Sequence, residues 1–134
     1  MKILRNILGV IFGLMIGGFV NMGIIMAGTA LIPPPEGVDF TNVENLRQTA
    51  HLLQPIHFLT PFLGHAIGTM AGALTGVWIA ASHYKIVAGI VGVFFLIGGI
   101  AAAAMIPGPK WFIALDLVFA YIPMAWIGMK LARK

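Results

Sequence analysis

The residues of this chain best suited to chemistry lie inside long apolar stretches. They are two histidines, an aspartate, an asparagine and a tyrosine: His57, His65, Asp116, Asn21 and Tyr121. Burying such groups in lipid is costly, so they usually face a protein interior or a water-filled cavity. At a helix rise of about 1.5 Å per residue, His65, Asn21 and Tyr121 lie at comparable depth. The sequence therefore predicts one ligand-binding site shared by these side chains, although each could instead form a bond between helices.

Asp116 gives the strongest indication of such a site. It is the only acid within the apolar stretches, and a bare carboxylate in apolar surroundings is costly. We expect it to be paired with a histidine, hydrogen-bonded, protonated or bound to a cation. Histidine and carboxylate groups bind divalent metals, so His57, His65 and Asp116 are the candidate metal ligands. Their spacing matches no established metal motif, and the cofactor stays open, with a divalent metal as one candidate.

A polar segment connects the first two apolar stretches. It carries three acids and a histidine, Glu36, Asp39, Glu44 and His51, which we expect near the mouth of the site or in solvent. Pro33 to Pro35 end the preceding helix. Thr41 and Glu44 form a T-x-x-E capping box, which predicts the start of a short helix. Its apolar face suits the outer surface of a membrane and consists of Val43, Leu46, Ala50 and Leu53.

Several kinds of chemistry are excluded by composition. The chain has no cysteine, which rules out disulfides, thiolate metal sites and cysteine nucleophiles. Its only serine, Ser82, lies far from the predicted site, so a serine nucleophile there is excluded. The sequence also contains no H-E-x-x-H, Walker A, G-x-S-x-G or C-x-x-C-H motif.

The fold class follows from hydropathy. The chain is 60% hydrophobic and 9% charged, whereas soluble domains are about 25% charged. Four stretches reach the roughly 20 apolar residues that a membrane helix needs, at about residues 7–32, 55–81, 86–106 and 111–129. The first is longer than the apolar region of a signal peptide, so we expect it to be a retained span. The sequence predicts one all-α domain over residues 1–134, a polytopic four-helix transmembrane bundle.

Charge predicts the orientation of that bundle. Six basic residues flank one side of the predicted spans, namely Lys2, Arg5, Lys85, Lys130, Arg133 and Lys134. Only Arg47 and Lys110 fall on the other side. By the positive-inside rule, we expect both termini in the cytoplasm and the protein in a bacterial inner membrane. The net charge of +4 then indicates contact with anionic lipid and not with nucleic acid.

Glycine and proline patterns indicate how the helices pack. Two series of glycines recur every four residues, Gly9, Gly13 and Gly17 in the first stretch and Gly64, Gly68, Gly72 and Gly76 in the second. Such residues let helix backbones approach closely in lipid, against either the same chain or a second copy. Pro61 and Pro123 each remove a helix hydrogen bond, which predicts breaks that free backbone carbonyls near the site.

These observations predict a non-catalytic membrane protein with an outward-facing polar site that binds or transports a cation or small solute. Two alternatives stay open. One is a structural or accessory subunit of a larger membrane complex or homo-oligomer, in which the polar groups are interhelical bonds. The other is a metal-dependent membrane enzyme that uses His57, His65 and Asp116.

Overall fold

The computed structural model describes residues 1–132, so Arg133 and Lys134 of the predicted basic side lie outside the described residues. Within that range the chain is helical and contains no strand. The helices are α1 (Lys2–Leu31), α2 (Val43–Thr49), α3 (Leu59–Ile79), α4 (Tyr84–Met105), α5 (Lys110–Phe119) and α6 (Ile122–Ala132). Short 3₁₀ turns at Ala50–Leu52 and Pro55–Phe58 lead into α3.

The described chain contains four helical segments long and apolar enough to cross a membrane, Lys2–Leu31, Pro55–Ile79, Tyr84–Met105 and Lys110–Ala132. Large apolar side chains cover their outer surfaces. Phe19 of α1, Ile97 of α4 and Val118 of α5 are each more than half exposed. A soluble protein rarely exposes so much contiguous apolar surface. The chain is therefore of a membrane-embedded type.

We call the end of the long helices that carries residues 32–54 the loop end, and the opposite end, which carries the turn Ala80–His83, the turn end. At the loop end, α2 begins one residue later than predicted. Its N-cap is Asn42, whose Oδ1 accepts a hydrogen bond from the Asn45 N–H at 2.9 Å. The Thr41 hydroxyl donates instead to the Asp39 carboxylate. The predicted capping box of Thr41 and Glu44 is therefore wrong, because Asp39 competes for the threonine.

The two prolines have different effects on their helices. Pro61 lies in the first turn of α3, where its missing N–H would have no helical partner in any case. The second apolar segment changes from the 3₁₀ turn Pro55–Phe58 to α3 at Leu59, so its interruption lies just before Pro61. Pro123, by contrast, is the second residue of α6, and the fourth apolar segment is divided between Phe119 and Ile122.

The glycines of α1 and α3 face each other in antiparallel register. Gly9 lies against Gly76, Gly13 against Gly72, and Gly17 against Gly68. A Cβ placed on Gly13 would be 2.6 Å from the Gly72 carbonyl oxygen. The backbones thus touch directly, and we call this contact the glycine seam. Towards the loop end the seam continues where Gly64 faces the side chain of Asn21.

Helix α3 also packs against α4 and α6. Small and β-branched side chains fill that space, and the buried cluster consists of Ala73, Val77, Ala88, Val91 and Ala125. On α6, Gly128 lies directly against the Met70 carbonyl oxygen. Because α3 contacts α1, α4 and α6, it holds the other helices in place around any residue that it contributes to a site.

At the turn end, two side chains of α1 bind the end of α3. Nε and Nη2 of Arg5 donate to the Ile79 carbonyl at 3.1 and 2.8 Å. Oδ1 of Asn6 accepts from the backbone N–H groups of Ala81 and Ser82. His83 then adopts a left-handed conformation with φ of 52° and starts α4. These bonds satisfy backbone groups at a helix end that would otherwise lack partners.

Candidate functional site

Three of the predicted site residues form one hydrogen-bonded cluster. Nδ1 of His65 on α3 lies 2.8 Å from Oδ1 of Asp116 on α5. The hydroxyl of Tyr121 donates to the other carboxylate oxygen, Oδ2, at 3.1 Å. The imidazole and phenol rings stack with their centroids 5.8 Å apart. Asp116 is only 5% exposed, and both of its carboxylate oxygens have hydrogen-bond partners in the protein.

The division between α5 and α6 places Tyr121 in this cluster. The Ala120 N–H still bonds to the Asp116 carbonyl, but the helix then stops for two residues before Ile122. Tyr121 therefore turns back over Asp116, and Gly99 of α4 makes room for it. A Cβ on Gly99 would be 2.5 Å from the tyrosine hydroxyl oxygen. Glycine at this position is thus required by the close approach of the phenol ring.

The hydrogen bonds indicate where the protons lie. An ionised carboxylate only accepts hydrogen bonds, and here it has one donor for each oxygen. In this network the hydrogen of the neutral imidazole therefore lies on Nδ1 of His65, which donates to Oδ1 of Asp116. The other ring nitrogen, Nε2, has no hydrogen-bond partner among residues 1–132. Within that range, the only enclosed side-chain nitrogen or oxygen atom without a partner is Oδ1 of Asn21. Nε2 of His65 is therefore open to a cavity.

His65 lines two cavities, and the first lies between α2 and the loop-end halves of the long helices. Its volume is about 200 Å³, and it reaches from Leu46 and Ala50 of α2 down to His65 and Asp116. Its other walls include Ile25, Phe40, Phe58, Ala102, Phe112 and Ile113. His65 and Asp116 are the polar side chains of an otherwise apolar lining. We call it the upper cavity.

His65 also borders a second cavity, of about 200 Å³, on the side of the glycine seam. Asn21, Thr69 and Tyr121 line this lower cavity together with Gly99 and Ala102, which it shares with the upper one. The Thr69 hydroxyl donates to the His65 carbonyl at 2.7 Å, so it does not bind the ring. Asn21 thus lies beside the cluster without a direct bond to it. Its Oδ1 is enclosed against Gly64 of α3 and has no hydrogen-bond partner among residues 1–132.

The structure places His57 apart from the cluster. Its Nδ1 accepts the Gln54 backbone N–H at 2.9 Å and so closes the 3₁₀ turn before α3. It lines neither the upper nor the lower cavity. His57 therefore serves the local backbone, and of the three candidate metal ligands only His65 and Asp116 meet. Among residues 1–132 no group of three or more histidine, cysteine, aspartate or glutamate side chains is placed to hold a metal ion.

The four loop candidates are all exposed: Glu36, Asp39, Glu44 and His51. Hydrogen bonds from the Thr41 hydroxyl and N–H hold the pKa of the Asp39 carboxyl below its usual value. Glu44 pairs with Arg47 at 3.5 Å, and both line an open, polar cavity of about 480 Å³. This cavity borders the upper one at Ala103 and Pro107, which belong to both walls. Only Glu44 of the four thus lies on an approach to the site.

Sequence reasoning missed most of the cavity wall. The apolar face of α2 was recognisable from its spacing, but nothing marked Phe40, Phe58 or Phe112 as more than ordinary apolar residues. Gly99 and Ala102 also escaped notice, because small residues are common in membrane helices. Their role depends on which helices are neighbours, and this is not encoded in local spacing.

No protein-family model, curated protein or solved structure significantly matches this chain. Function is therefore inferred from the geometry of the site.

Proposed function

We propose that this protein is an integral inner-membrane protein whose loop end faces away from the cytoplasm and which binds a small solute there. In this proposal, the four long helical segments form a transmembrane bundle with both termini in the cytoplasm, and α2 lies at the outer surface. The upper cavity is the binding site. The observation that carries the proposal is the His65–Asp116 pair at the base of a cavity that is otherwise apolar.

The chemistry of the cavity favours a solute over a bare cation. Asp116 is the only acid that lines the upper cavity, and among residues 1–132 no group of three or more histidine, cysteine, aspartate or glutamate side chains is placed to hold a metal ion. Moving an ion from water into apolar walls is costly unless charged partners surround it. A mostly apolar solute with one polar group gains from the same walls, because burying apolar surface is favourable. Nε2 of His65 is the group that would fix its orientation.

The glycine seam favours binding over transport and over assembly. Between the lower cavity and the turn end, α1 and α3 touch backbone to backbone. A solute would pass between these two helices only if they separated, and dense packing resists such opening. The seam also joins Gly9, Gly13 and Gly17 to glycines of the same chain. These residues are therefore already used within one copy and do not offer a surface to another subunit.

Thiol labelling tests the orientation and the access route, since the chain has no cysteine of its own. Ala103→Cys places a thiol in the wall between the upper cavity and the polar cavity beside it. A membrane-impermeant maleimide should label it from the periplasmic side. Ala73→Cys is the matched control, because Ala73 is fully buried and should stay unlabelled. Labelling of Ala103→Cys from the cytoplasmic side alone would contradict the proposal.

A retained solute tests binding itself. Ala102→Phe should fill the boundary of both cavities, since Ala102 lines each of them. Ala101→Phe adds the same side chain at the exposed neighbouring position and is the control. Mass spectrometry of organic extracts should find a molecule in the wild type and in Ala101→Phe that Ala102→Phe has lost. Identical extracts from all three proteins would refute the binding function.

A further inference from the structure

We propose that the upper cavity binds a single-ring phenol, that is, an apolar six-membered ring with a hydroxyl group that bonds to Nε2 of His65. This inference rests on the proposed function and names the class of ligand for the same site. It draws on the size of the cavity, the nature of its walls and the hydrogen-bonding capacity left at its base.

The size of the cavity limits the ligand to about one ring. An apolar cavity of roughly 150 Å³ is known to hold benzene. The upper cavity, at about 200 Å³, has room for a ring and one or two small substituents. A fused polycyclic molecule or a long acyl chain would have to extend outside it.

The walls suit an aromatic ring. Phe58 and Phe112 pack together at the cavity with their ring centroids 4.6 Å apart. Phe40 adds a third ring from the segment before α2. Aromatic groups gain from offset or edge-to-face contacts in addition to the burial of their surface. An aliphatic solute of the same size would lack these additional contacts.

The base of the cavity selects the polar group. With Nδ1 bonded to Asp116, Nε2 accepts a hydrogen bond when the ring is neutral and donates one when it is protonated. A hydroxyl both donates and accepts, so it satisfies Nε2 in either state. A ketone satisfies only the protonated ring and an ammonium only the neutral one. A ligand carboxylate would bring a second negative charge close to Asp116, and like charges repel in apolar surroundings.

Two sources supply this chemistry. A free phenol would enter from water through the polar cavity that Glu44 and Arg47 line. The ring of a lipid-borne quinol would enter from the bilayer, with its tail left outside the upper cavity. Both carry the same phenolic hydroxyl on a single ring, so the proposal concerns the shared group and the experiment separates the sources.

The test is fluorine NMR of the protein in lipid nanodiscs with para-fluorophenol. Fluorobenzene, which lacks the hydroxyl, is the matched probe. We expect para-fluorophenol to show a bound signal and fluorobenzene to bind about fivefold more weakly, the ratio expected for one hydrogen bond of average strength. Ala102→Phe should abolish the bound signal and Ala101→Phe should keep it. His65→Leu should bring the two probes to equal affinity.

His65→Leu removes one of the two hydrogen bonds to Asp116, so this variant is expected to be less stable than the wild type. The Ala102→Phe and Ala101→Phe pair leaves the cluster intact and therefore decides the outcome without it. Equal binding of the two probes to the wild type, or binding of para-fluorophenol to Ala102→Phe, would overturn the proposal.

Competition identifies the source. Displacement of para-fluorophenol by phenol added to water supports a free ligand, and displacement only by a decyl-tailed benzoquinol in the bilayer supports a lipid-borne one. If para-fluorophenol does not bind at all, the phenol class is wrong. The binding function then still stands if the extract of Ala102→Phe lacks a molecule present in the wild type, and it falls if the extracts agree.

Discussion

At the scale of single residues, the cluster is organised around the largely buried carboxylate of Asp116. Asp116 keeps its place because His65 and Tyr121 each supply one hydrogen bond to it. Bonds to charged groups are stronger than neutral ones, and removing a partner from a buried charge is costly. The cluster is therefore both a stabilising contact between α3 and α5 and the base of the upper cavity. Tyr121 does not line the upper cavity, so a substitution there tests the stabilising role separately.

Tyr121→Phe should lower the free energy of unfolding by about 1.5–3 kcal/mol, since it removes one hydrogen bond to a charged group while the ring stays. Chemical unfolding in detergent micelles measures the change. A double-mutant cycle with Asp116→Asn should give a coupling of about 0.5–3 kcal/mol, as expected for residues in direct contact. Strict additivity of the two substitutions would mean that the tyrosine hydroxyl and the carboxylate do not interact.

The meeting of His65 and Asp116 was among the pairings that the sequence predicts, because an acid within an apolar stretch needs a partner. Which histidine supplies it was not decided by the sequence. His57 has the same chemistry and lies two helical turns nearer the loop end, but Gln54 engages it through the backbone. A short-range bond of this kind depends on the conformation of a 3₁₀ turn, which residue types alone do not specify.

At the scale of helices, the glycine seam sets the distance between α1 and α3. Gly18 tests the specificity of the seam, since a Cβ there would meet nothing within 4 Å, although it adjoins Gly17 in the sequence. The two glycines thus lie on different faces of α1. Glycine is therefore required on the face of α1 that contacts α3, and it is replaceable on the face that carries Gly18.

Gly13→Ala should destabilise the protein by about 1–3 kcal/mol, because the added methyl group overlaps the Gly72 carbonyl and forces the backbones apart. Gly18→Ala should be neutral or stabilising by up to about 1 kcal/mol, since alanine favours helix over glycine. Thermal unfolding in detergent compares the two. Equal effects would show that α1 does not pack on α3 through this face.

The bonds at the turn end give a second prediction at this scale. Asn6→Ala removes the acceptor for two backbone N–H groups, those of Ala81 and Ser82. We expect a loss of about 1 kcal/mol in the free energy of unfolding, the lower end of the cost of an unpartnered donor, because both N–H groups are only partly buried. Ser82→Ala removes only side-chain bonds and should cost less. A larger loss for Ser82→Ala than for Asn6→Ala would contradict this account of the turn.

The four long apolar helices followed from the sequence, because length and hydropathy decide which segments can cross a membrane. The division of the fourth segment was indicated by Pro123, but its consequence, a tyrosine turned back onto Asp116, was not. The start of α2 was misjudged by one residue, because Thr41, Asn42 and Asp39 are all suitable capping groups. Competition among neighbouring polar side chains is settled by geometry that the sequence does not give.

At the scale of the whole molecule, orientation is a prediction from charge. Lys2, Arg5 and Lys85 belong to the turn end, while Arg47 and Lys110 belong to the loop end. A reporter fused after Lys134 should be active in the cytoplasm, because basic residues are retained on that side. A fusion in the connection at Gly108 should report from the periplasm. The reverse pattern of the two fusions would contradict the proposed orientation.

The register of the glycine seam also has a consequence for how the chain folds while it is being synthesised. Gly13 and its partner Gly72 are separated by a stretch of chain that holds the rest of α1, the whole loop end and most of α3. At the usual synthesis rate of about 5–20 residues per second, α3 emerges from the ribosome several seconds after α1. During that interval its grooved face is open to lipid or to a helix of another nascent chain. Slower translation of residues 32–58 lengthens this interval, so the yield of correctly paired protein should depend on codon choice in that segment.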